Sequence, residues 1–243
     1  MTQSLSPVAT PGHLVSCFLQ GDVLRSRSVS SRVLSTTFNI AAPPARLVAD
    51  WERTLSEGSG LVPGDVESLP LARARMRWPD YKDGVQAVAA WTRSLGLGEV
   101  LAESDVALMA CRGARYHHDG EQYGGAAFCN LFVSEDKGLD LHFAGTGHRI
   151  PLVRGTAVIF DTCRPHAVIR RGSEGFDPAD FAAGADCSQV FLTWELPIDA
   201  VAELMQIAFD TDPSCAAAAE EEMLLHNGKR GTVCPASGRW MRI

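Results

Sequence analysis

Apolar residues are distributed along the chain in three textures. From about residue 105 to 196 they form short β-branched and aromatic runs, at 106–111, 126–133, 139–143, 149–153, 156–160, 166–170 and 189–196, separated by turn residues. Such closely spaced runs, with no long helical pattern between them, predict antiparallel strands of a barrel or sandwich and disfavour a doubly wound nucleotide fold. Upstream, a helical period follows Pro43-Pro44 over 45–55 and recurs at Val85, Val88, Trp91, Thr92 and Leu95, with Gly96 and Gly98 as its stop. A short strand is expected within 32–40, around Val33, Phe38 and Ile40. Beyond Pro197, the spacing of Ile198, Val201, Ala202, Met205, Ala208 and Phe209 predicts a helix, and a further helix is expected from Asp212 (N-cap) and Pro213 to Gly228. Residues 1–30 are rich in Ser, Thr, Pro and Gly, hold no sustained period and read as a partly ordered arm. Within it, Arg25, Arg27 and Arg32 interleave with serines as on a solvated surface. The expected organisation is one domain over 31–243, with a β core at about 105–196 and helices before and after it that buttress the sheet.

Composition narrows the function class. With 243 residues, 46% hydrophobic and 21% charged, the chain is an ordinary globular protein. A formal charge of -7 disfavours a sequence-independent grip on nucleic-acid phosphates. Seven cysteines without a Cys-x-x-Cys pair indicate neither a complete disulfide framework nor a thiolate zinc site, so reduced thiols are expected. No basic cluster followed by an apolar run marks a signal peptide, and no stretch approaches the roughly 20 apolar residues of a membrane span. A cytoplasmic protein acting on a small-molecule substrate, without nucleic-acid or membrane partners, is the expectation; the sequence leaves the oligomeric state open.

The chemistry concentrates in the β-rich block. His117-His118-Asp119 is followed, 47 residues after Asp119, by Arg164-Pro165-His166. Two imidazoles and one carboxylate on one side of a metal, with the other positions open, suit non-haem Fe(II) and its oxygen chemistry. On an extended chain His117 and Asp119 point the same way, leaving His118 to face a neighbouring layer or the surface. A His-x-Asp pair alone arises often by chance, so the surroundings decide.

Over roughly 112–196, about a third of the chain, those surroundings resemble the double-stranded β-helix of the Fe(II)- and 2-oxoglutarate-dependent oxygenases. His117-x-Asp119 is followed by the strand at 128–133, the Gly138 turn into 139–143, a Gly-x-x-x-x-Phe strand from Gly155 to Phe160, and Pro165-His166. The resemblance implies a mainly β protein with flanking helices around a jelly-roll core. It also implies Fe(II) held by His117, Asp119 and His166, with positions left for the 2-oxo acid end of 2-oxoglutarate and for O2. Oxidative decarboxylation to succinate and CO2 would then drive hydroxylation of an unactivated carbon, the cofactor carrying the hard step.

One family feature is absent. An Arg-x-Ser on the final strand commonly anchors the far carboxylate, whereas Asp186-Cys187-Ser188 stands at the corresponding place here. Alternation from His166 through Val168 offers Arg170 instead, about 13 Å along the strand, with Arg149 in reserve and Arg171 facing outward. Within that resemblance, Asn130 on the strand after the metal pair is the candidate to hydrogen-bond the metal-bound end of the cosubstrate, the other reading being an ordinary satisfied polar residue. The substrate class indicated is a small metabolite, such as an amino acid or a biosynthetic intermediate. Two other readings stay open: a cupin-type dioxygenase or isomerase without 2-oxoglutarate, and a non-catalytic β-barrel binding protein. The first lacks its His-x-His with a downstream Glu; His142 and His148 read as core or surface residues. A halogenase register at His118-Asp119-Gly120 is disfavoured because Asp119 is available to His117. Trp194 reads as a core or edge aromatic, with the barrel mouth as its other placement.

Overall fold

The computed structural model describes residues 13–57, 61–182, 185–210 and 222–242. The first part of the chain forms strands β1 (Leu14–Gln20), β2 (Val23–Ser28) and β3 (Val33–Thr37), helix α1 (Ala45–Glu57), strand β4 (Val66–Leu69), and helices α2 (Leu71–Arg77), α3 (Tyr81–Ser94) and α4 (Val100–Glu103). Strands β5 (Val106–Cys111) and β6 (Ala114–His117) follow, then the short helix α5 (Gly120–Tyr123) and strands β7 (Ala126–Phe132), β8 (Leu139–Phe143), β9 (His148–Pro151), β10 (Thr156–Asp161), β11 (His166–Arg170) and β12 (Gln189–Pro197). Helix α6 (Ile198–Met205) precedes β13 (Met223–His226), β14 (Lys229–Val233) and β15 (Trp240–Arg242).

From β5 to β12 the chain alternates between two antiparallel sheets. The first, third, sixth and eighth of these strands lie in one sheet, ordered β3-β10-β7-β12-β5-β4; the second, fourth, fifth and seventh form the other, ordered β6-β11-β8-β9. This connectivity is the jelly roll, or double-stranded β-helix, that the sequence predicts. Along β7 and β12 successive side chains take opposite sides. Cys129, Leu131, Leu192 and Trp194 face outward, packing with Leu47 and Trp51 of α1, Val88 of α3 and Val201 of α6. Phe132, Val158, Phe160 and Phe191 face inward, meeting Leu139, Leu141 and Phe143 of the opposite sheet. Because helices cover the outer face, every residue of β10 is buried, and its sequence shows a continuous apolar run in place of alternation. Trp194 therefore belongs to the layer under the helices and not to the mouth. Gly155 turns the chain into β10 at φ +86°, where a Cβ would fall 1.9 Å from Phe38 O.

The ends of the chain differ from expectation. From Leu14 the presumed arm is a hairpin, and β1 pairs with both β2 and β13 in a further sheet ordered β15-β14-β13-β1-β2. Asn227 and Gly228, both at left-handed φ (52° and 71°), form the two-residue turn between β13 and β14. A hairpin thus stands where a helix ending at Gly228 was expected; the start of that helix at Asp212 and Pro213 lies outside the described residues. Cys17 is disulfide-bonded, whereas Cys111, Cys129, Cys163, Cys187 and Cys234 are free, which corrects the expectation of reduced thiols throughout. No described helix is long and apolar enough to cross a membrane.

The end sheet delivers Arg27 to the rim of the barrel. Arg27 and Asp161, at the end of β10, have side chains 0% exposed. Arg27 Nη1 and Nη2 donate to the two carboxylate oxygens at 2.7 and 2.9 Å, and Nε donates to Gly124 O at 2.7 Å. The backbone N–H groups of Ser30 and Cys163 fill the remaining acceptor sites of Asp161. Arg27 is therefore a structural core residue and not part of a solvated surface. Arg27→Met is expected to destabilise the protein by about 3–5 kcal/mol, because Asp161 is left buried without its counter-charge. Urea unfolding measures it, with Arg25→Ala as the control: that substitution breaks the exposed pair with Asp210 and should barely move the midpoint.

Candidate metal centre

Strand β6 ends at His117, and the chain then turns. Asp119 has φ -102° and ψ 10° and starts α5, so the same-side rule for an extended His-x-Asp does not set its direction. Its backbone N–H donates to Thr162 O at 2.8 Å, which aims the residue at the β10–β11 turn. His166 opens β11 directly opposite His117, with ring centroids 4.5 Å apart. The three predicted ligands thus converge, each offering a ligand atom within 4.8 Å of the others. His117 Nε2 lies 3.6 Å from Asp119 Oδ1, and His166 Nε2 lies 3.6 Å from Asp119 Oδ2.

These separations are too long for hydrogen bonds but suit a shared ion, since atoms each roughly 2 Å from a metal sit about 3–4 Å apart. The imidazole tautomers fit as well. His117 Nδ1 lies 2.6 Å from Arg115 O, and His166 Nδ1 lies 2.8 Å from Arg164 O. A carbonyl only accepts, so each Nδ1 carries the proton and each Nε2 presents its lone pair. Asp119 Oδ2 is buried without a hydrogen-bond partner among the described residues. Burial, reinforced by neighbouring His117, holds His166 well below the ordinary histidine range and keeps it in the neutral, ligating form. Burial likewise raises Asp119, against the pull of His117 and His118. A carboxylate whose two oxygens each face an imidazole lone pair is costly, and a divalent cation would resolve it. Two nitrogens and one oxygen on a single side form the donor set of non-haem Fe(II).

The two ligand-bearing turns are joined by more than Asp119. Thr162 Oγ1 donates to Tyr123 O at 2.6 Å, and a Cβ on Gly120 would come within 2.8 Å of Cys163 Sγ. Arg27 touches both turns through Gly124 O and Asp161. Phe160 stands edge-on 4.7 Å from the His166 ring and Phe143 lies 6.1 Å from it, so the wall beside the ligands is apolar. His118 turns to Trp240 of β15 and stacks on it at 6.4 Å.

The residues expected to hold 2-oxoglutarate are not gathered in the same way. Asn130 is buried on the inward face of β7, level with Val158 and Thr193, and its Oδ1 has no partner among the described residues. Arg170 pairs with Leu139 at the far end of β11 and is exposed. Arg149 pairs with His142, on the side of the sheet opposite to Leu141 and Ile150, and donates to Ser173 O at 2.5 Å. Arg171 faces outward as expected, held by Asp136 and Asp140. Sequence reading missed β6 as a strand and also missed Arg27, Thr162 and Arg164. Each of these acts through partners distant in the chain, and no local periodicity announces them.

No family model matches this sequence, and no curated protein matches it. Solved structures do overlap loosely with the chain. A prolyl-4-hydroxylase from Pseudomonas putida is 17% identical, with TM-score 0.40 over 68% of this chain and 92% of its own. A collagen prolyl hydroxylase from Paramecium Bursaria Chlorella virus-1 is 8% identical, with TM-score 0.41 over 68% of this chain and 89% of its own. At these values the likeness adds nothing to the topology described above.

The raised pKa of Asp119 has a measurable sign. The folded, metal-free protein holds that proton more tightly than the unfolded chain does. Asp119 therefore favours folding below its unfolded value and loses that contribution as pH rises through its folded value. Asp119→Asn is expected to raise the Tm of the metal-free protein near neutral pH and to abolish the stabilisation that Co(II) gives the wild type. Thermal melts with and without Co(II) check both effects.

Proposed function

We propose that this protein is an Fe(II)- and 2-oxoglutarate-dependent dioxygenase that hydroxylates a small metabolite, in the class of an amino acid or biosynthetic intermediate, with release of succinate and CO2. The observation that carries the reading is the convergence of His117, Asp119 and His166 at one end of a double-stranded β-helix, with His117 Nε2 and His166 Nε2 each 3.6 Å from a different oxygen of the Asp119 carboxylate. Bound there, ferrous iron would activate dioxygen, and 2-oxoglutarate would supply the electrons that complete its reduction.

The chain's own contribution is positional. The Arg115 and Arg164 carbonyls fix the two imidazoles, and Asp119 supplies the one negative charge of the set. Phe143 and Phe160 keep water from the His166 side. Asn130 supports the cosubstrate role because its amide has both donors and an unmatched acceptor inside the barrel.

Reconstitution with Fe(II) under anaerobic conditions, followed by air, tests the proposal. Succinate is expected only when Fe(II) and 2-oxoglutarate are both present, and at background in His166→Ala and Asp119→Ala. Oxygen uptake without succinate would move the protein to the cupin-type reading. Failure of the wild type to bind iron at all would leave a non-catalytic barrel.

A further inference from the structure

The larger barrel sheet is open on its inner face at the end that holds the triad. Two rows of inward-facing side chains cross it there. In the first, Phe160 of β10 pairs with Phe128 of β7 and Phe128 with Glu195 of β12, whose backbone N–H donates to Asp105 O at 3.3 Å. In the second, Asn130 lies between Val158 and Thr193. On the outer face of the same strands Ala127, Cys129, Trp194 and Leu196 are at most 2% exposed. Inward-facing Phe128 and Thr193 are only half-buried, and Glu195 is exposed. The interior of a filled barrel is its drier side, so this reversal marks an opening between the sheets.

The opening joins the triad to two carboxylates. Phe160 stands beside the His166 ring, and Glu195 lies two strands further on, about 10 Å across the sheet. Tyr123, at the end of α5, meets Phe128 edge-on at 5.1 Å. Burial raises its phenol, and the charges of both Glu195 and Asp119 raise it further, so it stands within reach of both ends of the opening. Glu195 is itself raised by burial and by Asp105 beside it. Among the described residues neither Glu195 nor Asp105 enters an ion pair. Asn130, 6% exposed and on the same face, has no hydrogen-bond partner for Oδ1. That oxygen is an acceptor, separate from the two amide donors that a cosubstrate would use.

These groups favour one kind of ligand. Two carboxylates and an amide oxygen accept hydrogen bonds, and the rings of Phe128 and Tyr123 attract a cation. An anionic group at this place would be repelled. We propose that this acidic, aromatic opening takes the positively charged end, an ammonium or a guanidinium, of the molecule that is hydroxylated. The inference deepens the oxygenase reading and rests on it for the reaction, whereas cation binding at Glu195 needs no iron.

Two measurements test it and separate the head groups. In full-length protein without added metal, the side-chain carboxyl resonance of Glu195, identified by its loss in Glu195→Gln, is followed against pentylammonium chloride and pentylguanidinium chloride, with sodium pentanoate and sodium chloride as controls. A saturable shift with a cation and none with the controls is expected, and the tighter cation names the head group. In Glu195→Gln its affinity, measured on the ligand's own resonances, falls by roughly 10-fold or more. In Mn(II)-loaded protein, paramagnetic relaxation is expected to act more strongly on the terminal methyl of the bound cation than on the methylene beside its nitrogen, and to vanish in His166→Ala. No saturable shift with either cation, an affinity unchanged in Glu195→Gln, or stronger relaxation at the nitrogen end would each overturn the proposal. Failure of the wild type to bind Mn(II) would sink the oxygenase reading alone, and the titration would still decide Glu195.

Discussion

A guanidinium and a carboxylate share a fully buried site at the barrel rim, each meeting the other through two hydrogen bonds. Arg27 spends its remaining Nε donor on Gly124 O, just past α5, while Asp161 ends the strand that leads to His166. One side chain therefore fixes the spacing between the turn that presents Asp119 and the turn that presents His166. An apolar pair of similar volume could match this ion pair in free energy. It would lack direction, and direction is what three side chains converging from separate segments require. The Thr162 and Asp119 backbone bonds repeat the same linkage a few ångströms away, so the site is held at several points across one seam.

The triad is arranged at the protein's expense. Its carboxylate is desolvated without a hydrogen bond on Oδ2, and one imidazole is kept neutral by burial against another. Groups poised in this way favour whatever neutralises them, and metal affinity and folding become linked through the same few atoms. The apolar wall of Phe143 and Phe160 strengthens the linkage by keeping solvent from sharing the task.

Much of this could be read from residue order. Short β-branched runs marked seven of the eight barrel strands, and the spacing of Val85, Val88 and Trp91 marked α3. The convergence of the His-x-Asp with the distant His was visible because side chains able to ligate a metal are few in kind and stand out at particular places in the strand order. What escaped notice shares a physical cause. β6 has only four residues, with Arg115 and Tyr116 breaking any apolar run. Asp119 takes its direction from a carbonyl 43 residues away in the chain, through a turn and not through strand alternation. Asn227-Gly228 is a strong hairpin signal, but the Ala- and Glu-rich segment before it pulled the assignment toward helix. For Arg170 the face was inferred from alternation, yet alternation says nothing about depth, and the residue lies at the open end of its strand. Arg27 looked like any serine-flanked surface arginine because its partner is 134 residues away.

The strand that brings Arg27 to the rim belongs to a hairpin whose other neighbour, β13, is encoded near the opposite end of the chain; His13 and Asn227, 214 residues apart, close that junction by reciprocal backbone and side-chain bonds. During synthesis β1 emerges long before β13 exists, so one row of its amide groups waits without a neighbour, and closing so long a loop carries a large entropic cost. The platform behind the Asp119 and His166 turns is therefore completed only after β13, some two hundred residues downstream of β1, has left the ribosome. Until then the nascent chain carries an open sheet edge, the feature most prone to pairing with another molecule.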